Sequence, residues 1–210
     1  MYIQKDDAIK LIDKVRISSI ENLIEKINFM KTLLQADDWS MIIKSHALIE
    51  TLVTELIISQ IDEEKLKSLI ERLPLSDEQV GKLKITKDYN LLTQEQRKFI
   101  KRFSELRNMI VHKFENINFN LDEYSKSLEK NQKKSWLNII TWYANDDIKN
   151  KEDWKKISDD NPSVGVWFSV VQLVSEITLK SEELKGHTNI QKQADKTIKE
   201  LLSNHTLEDK

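Results

Sequence analysis

The stretch WSMIIKSHALIETLVTELIISQI, Trp39 to Ile61, decides the fold. It holds no Gly and no Pro. Met41, Ile42, Ala47, Leu48, Leu52, Val53, Leu56 and Ile57 spread over more than one side of a helix turning every 3.6 residues. A helix that is apolar on several faces needs neighbours on several faces, so this one is expected at the centre of a helical assembly. Asp37 or Asp38 stands where a side chain can cap its first turn.

The flanking segments supply such neighbours. From Asp6 to Gln35 there is again no Gly or Pro, and Ile20, Leu23, Ile27, Met30 and Leu34 recur in steps of three and four. That spacing predicts a long amphipathic helix with one packing seam. After Ile61 the chain breaks at Leu73-Pro74-Leu75-Ser76-Asp77, with short helices expected on either side. Thr93, followed three residues later by Gln96, reads as a capping box. The helix it starts carries the stripe Phe99, Phe103, Leu106, Ile110 and Phe114.

Beyond about Asn120 the character changes, and four of the five tryptophans (Trp136, Trp142, Trp154 and Trp167) lie there. The charged stretch from Asn145 to Pro162 is expected to be a long loop with at most a short helix. Val164 to Leu184 reads as an apolar helix stopped near Gly186, followed by a last helix with the stripe Ile190, Ala194, Ile198 and Leu201. The expected architecture is all-α: a helical core over residues 1–120, and additional helices over residues 121–210 packed on it.

Composition supports that class. In 210 residues there are three Gly, two Pro and no Cys. So few turn residues cannot build a sandwich, barrel or propeller. Gly81, Gly165 and Gly186 are isolated, so there is no P-loop and no dinucleotide fingerprint. The lack of cysteine excludes disulfides, thiolate zinc sites and a cysteine nucleophile. The opening residues Met1 to Asp7 do not read as a signal peptide. The most apolar run, Val164 to Val174, is shorter than the roughly 20 residues of a bilayer span. A cytoplasmic protein without a membrane partner is expected.

The chemistry is concentrated in Leu106-Arg107-Asn108-Met109-Ile110-Val111-His112-Lys113-Phe114. With the apolar stripe turned inward, Arg107 lies at its edge. Asn108 and His112, one turn apart, point away from it. The net charge of the chain is −2, which attracts no polyanion globally. Locally the picture differs. Arg97, Lys98, Lys101, Arg102, Arg107 and Lys113 face only Glu105 within their own segment, a balance of +5. Such a helix can attract phosphates, with Lys101, Arg102 and Lys113 as candidate backbone contacts. His46 and Glu50, one turn apart in the central helix, form a candidate supporting or substrate-facing pair. A surface pair is the plainer reading. For His112 the plainer reading is an exposed helix histidine. For Arg107 it is a core-edge arginine paired with an acid such as Glu50.

Arg107-Asn108-x-x-x-His112 resembles the Arg-x4–6-His signature of the HEPN superfamily. The run Leu106 to Asn118 is similar to the motif region of HepT-type toxins. The likeness extends over roughly residues 10–125 and includes the upstream helix with Ala47-Leu48-Ile49-Glu50. It implies an antiparallel helical bundle and a homodimer whose two motifs meet. It also implies metal-independent cleavage of RNA, in which Arg107 and His112 act. Beside them Asn108 reads as an orienting residue or a plain surface amide, and Glu50 and His46 as the supporting or substrate-facing pair. An antitoxin or other regulatory protein is an implied partner, and no cofactor is expected. Non-catalytic members of the superfamily serve instead as modules that bind a protein or nucleotide. HepT-type chains commonly carry Arg-x4-His-x-Tyr, where the tyrosine receives AMP. Phe114 occupies that position here and cannot be adenylylated.

Overall fold

The computed structural model describes residues 5–112, 114–144 and 148–208. Among them every regular element is helical. In chain order these are α1 (Lys5–Leu33), α2 (Asp38–Ile61), α3 (Lys67–Glu71), α4 (Lys82–Asp88), α5 (Gln94–Val111), α6 (Leu121–Ser127), α7 (Lys130–Ile140), α8 (Ile148–Asp160) and α9 (Pro162–Glu208). Short 3-10 turns at Glu64–Leu66 and Phe114–Asn118 precede α3 and α6.

α2 is the central helix. Asp37 caps it, accepting from the Ser40 amide at 2.8 Å and the Ser40 hydroxyl at 2.7 Å. These bonds hold the Asp37 carboxyl below its ordinary pKa. The helix ends at Asp62, which takes the left-handed conformation (φ 53°) and returns its amide to the Ile58 carbonyl. Met41, Ile42, Ile49, Leu52, Val53, Leu56 and Ile57 are all buried. α1, α3, α4, α5 and α9 pack around them.

α9 runs parallel to α2 and is latched to it at both ends of α2. Near the start of α9 the Ser163 hydroxyl donates to Asp38 Oδ1 at 2.6 Å; further along α9, Lys192 pairs with Asp62 at 2.8 Å. Asp38 Oδ2 also accepts from the Leu121 amide at 2.7 Å, so one carboxylate ties the first turns of α2, α6 and α9 together. The Trp167 indole donates to the Met30 carbonyl at 2.7 Å, which fixes α9 to the end of α1.

The core is continuous across residue 120. Val166, Val170, Leu173, Val174 and Ile177 of α9 share one cluster with α2 and with Phe99, Phe103, Leu106 and Ile110 of α5. The Thr93–Gln96 capping box is present at the start of α5. The side chain of Phe114 lies outside the described residues.

Three expectations need correction. Gly186 does not stop a helix, because α9 continues as one 47-residue element. The cost of a helical glycine, about 1 kcal/mol against alanine, is small, and no proline enforces a break. An 18-residue window in its Pro162–Lys196 portion also reaches a mean hydropathy of 1.3, apolar enough for a bilayer span, although half of that window is buried and Val166, Val170, Leu173, Val174 and Ile177 are spent on the core. The stretch expected to be a loop carries α8, a 13-residue helix. In the α1 seam, Met30 is buried, Leu23 and Ile27 are half-buried, and Ile20 and Leu34 are exposed. Leu33 rather than Leu34 completes the seam.

α8 lies unusually close to α9 at Gly165. A Cβ there would stand 2.6 Å from the Ser158 Cβ and 3.0 Å from its Cα. Gly165→Ala is therefore expected to force the helices apart and destabilise the fold by about 1–3 kcal/mol, read as a lower melting temperature. An unchanged melting temperature would refute the close crossing.

Candidate active site

α5 delivers the motif. Its inward stripe fixes the rotation of the helix, which leaves Arg107 half-buried at the edge and Asn108, Met109, Val111 and His112 exposed. His112 terminates the helix with right-handed backbone (φ −87°, ψ −4°). The chain then folds back, and the Asn116 side-chain amide donates to the Met109 carbonyl at 2.9 Å, satisfying one of the carbonyls left open at the helix end.

Arg107 is held from two sides. Its Nη1 donates to Asn108 Oδ1 at 2.9 Å. Its Nε donates to His46 Nδ1 at 3.5 Å, a long bond that crosses from α5 to α2. His46 Nε2 in turn lies 3.0 Å from the Ser104 hydroxyl, which donates to the Ile100 carbonyl at 2.8 Å. An imidazole that accepts at Nδ1 and donates at Nε2 is neutral. Its environment enforces the same state: burial, and then the Arg107 charge, hold the His46 pKa down to about 4. A stacked contact with Phe103 at 6.3 Å completes the pocket.

His46 is therefore no surface residue and does not pair with Glu50. The packing of α5 on α2 covers it, leaving it 4% exposed. Glu50, one turn further, accepts from Lys82 at 3.0 Å. That lysine is 1% exposed and also donates to the Glu71 carbonyl at 3.3 Å. Glu50 is thus occupied by a buried cation from α4, and the described partners of Arg107 are His46 and Asn108. Lys82 has no apolar or spacing signal that marks it as buried, so it was not singled out in the sequence.

The basic face of α5 is more neutral than its own segment indicates. Lys101 pairs with Glu78 from the loop before α4, and Arg102 pairs with Glu105 at 2.9 Å while its other Nη donates to the Tyr124 hydroxyl at 3.2 Å. Arg97 turns back to the Leu92 carbonyl. Lys113 lies outside the described residues.

This arrangement can do three things chemically. It presents a guanidinium with one edge anchored, which suits a phosphate clamp. It places an exposed imidazole at the helix end, available for proton transfer. Met109 and Val111 on the same helix end, and Ile117 in the turn that follows, are exposed apolar residues able to meet a partner. No protein-family model, curated protein or solved structure matches the chain.

The buried imidazole makes stability depend on pH. Unfolded, His46 takes up its proton near pH 6.5; folded, it does so near 4. Between these values the unfolded state binds more protons, so this contribution is complete above pH 6.5 and is lost as the pH falls towards 4. In denaturant unfolding, the wild type is expected to lose on the order of 2–3 kcal/mol more than His46→Asn between about pH 7 and about pH 4. Equal losses would contradict a neutral, buried His46.

Proposed function

We propose that the protein is a metal-independent endoribonuclease of HEPN type that acts as a two-fold dimer. The observation that carries this reading is the support of Arg107 by a neutral, buried His46, with Asn108 and His112 exposed on the same end of α5. A surface arginine with no task needs no buried histidine behind it. The all-helical architecture, with the motif helix packed against a central α2, is compatible with the antiparallel bundle of that superfamily.

The chemistry follows from the residues. RNA carries its own nucleophile, the 2′-hydroxyl. One His112 imidazole removes the hydroxyl proton as the oxygen attacks phosphorus. The bond from phosphorus to the 5′-oxygen breaks, and a protonated imidazole from the second copy supplies the proton to that leaving oxygen. Arg107 holds the phosphate and stabilises the charge that develops on its oxygens. The products are a 2′,3′-cyclic phosphate and a free 5′-hydroxyl. One chain carries one such histidine and arginine, and a two-fold axis through the motif face doubles both. Indiscriminate cleavage of RNA suits a toxin or antiviral effector restrained by a partner protein.

A second reading is a non-catalytic HEPN-type module that binds a protein or nucleotide. Exposed Met109, Val111 and Ile117 favour it, because an apolar rim serves a docking face as well as a dimer.

Incubation with total RNA in EDTA separates the two. Wild type is expected to leave cyclic phosphate ends. His112→Ala is expected to cleave about 10²–10⁴-fold more slowly, and Arg107→Ala about 10²–10³-fold more slowly. Cleavage by His112→Ala at the wild-type rate would overturn the mechanism.

A further inference from the structure

A cluster of lysines lies away from the motif, between α7 and α8. α7 and α8 enclose an open cleft of 640 Å³. Five lysines line it: Lys130, Lys133 and Lys134 from α7, Lys155 and Lys156 from α8. Two acids oppose them, and both are committed to the cleft wall. Asp159 pairs with Lys133 at 2.6 Å, bracing α8 against α7, and Glu152 pairs with Lys155 at 2.9 Å within α8. Glu129, at the start of α7, donates its backbone amide to the Gln132 side chain at 3.1 Å. Lys130, Lys134 and Lys156 remain exposed, with no acidic partner among the described residues.

The spacing suits a polymer of phosphates. Lys130 and Lys134 stand one turn apart, about 6 Å along the axis, comparable to the separation of successive phosphates in a single strand. Leu137 and Asn138 continue the α7 wall, offering an apolar surface and an amide to whatever the phosphates carry.

The fold also packs α7 against the helix that carries the motif. Trp142, just beyond α7, lies against Phe99 of α5 at 6.3 Å. Within α7, Trp136 meets Tyr124 of α6 at 5.5 Å, and Tyr124 accepts from Arg102 of α5.

We infer that the α7–α8 cleft is a track for the sugar–phosphate backbone of single-stranded RNA, extending the substrate site beyond the motif. This rests on the ribonuclease reading but is tested without cleavage. Full-length His112→Ala protein is titrated against a fluorescein-labelled oligouridylate, with anisotropy read at several salt concentrations. Adding Lys130→Gln, Lys134→Gln and Lys156→Gln is expected to weaken binding about tenfold or more and to lower the slope of log K against log salt by about 2. All three side chains are exposed, so the circular dichroism spectrum and melting temperature should stay unchanged. Unaltered affinity and slope would overturn the track. So would binding to phosphatidylserine vesicles through these lysines without binding to the oligouridylate. A chain that binds through the cleft but never cleaves RNA contradicts the catalytic reading alone. One that cleaves RNA while the triple variant binds normally contradicts the track alone.

Discussion

The structure depends on the enclosure of α2. Ten of its side chains are buried, and three of them (Ser45, His46 and Thr54) carry polar atoms. Only a stripe through Lys44, Ala47 and Thr51 stays exposed, and α1, α3, α4, α5 and α9 pack on the rest. Its two ends set the frame for them. Asp38 gathers the first turns of α6 and α9, and Asp62 holds α9 at the far end. The length of α2 thereby fixes the parallel run of α9, and the core reaches well beyond residue 120.

The same enclosure builds the site. Buried polar groups must find partners or destabilise the fold. Thr54 turns to the Glu50 carbonyl within its own helix. His46 finds Ser104 on one side and Arg107 on the other. Because the imidazole stays neutral, it can accept from the guanidinium without repelling it. The pair Glu50–Lys82 solves a related problem one turn away: a buried ammonium held by a carboxylate and a carbonyl. Removing one partner of such a pair leaves a charge uncompensated. Packing and the candidate site are coupled at these residues, since what satisfies the core also holds the Arg107 side chain.

Much of the helical layout was legible because it rests on local chemistry. A cap at Asp37 or Asp38 and the Thr93–Gln96 box are spelled out in nearby residues, and the α5 stripe from Phe99 to Ile110 repeats over about three turns. Other features are set by tertiary contacts. α8 was hidden because its tightest packing uses Ser158 against Gly165, not an apolar stripe. The continuity of α9 through Gly186 shows how little one helical glycine costs when no proline follows it. The placement of His46 illustrates the limit most clearly. One turn from Glu50, it invites a pairing along its own helix, yet α5 covers it and supplies Arg107 from sixty-one residues away. The neutralisation of Lys101 by Glu78 escapes a count of charges along one segment for the same reason.

The central claim is that two copies bring their motif faces together. The chain has no cysteine, so Val111→Cys creates a single labelling position on that face, two residues from Met109 and beside His112. A nitroxide attached there reports proximity directly. The two-fold arrangement predicts a solution mass of two chains and dipolar broadening of the spin spectrum, relieved by mixing with excess unlabelled protein. A mass of one chain, or a dimer whose labels show no coupling, would contradict it.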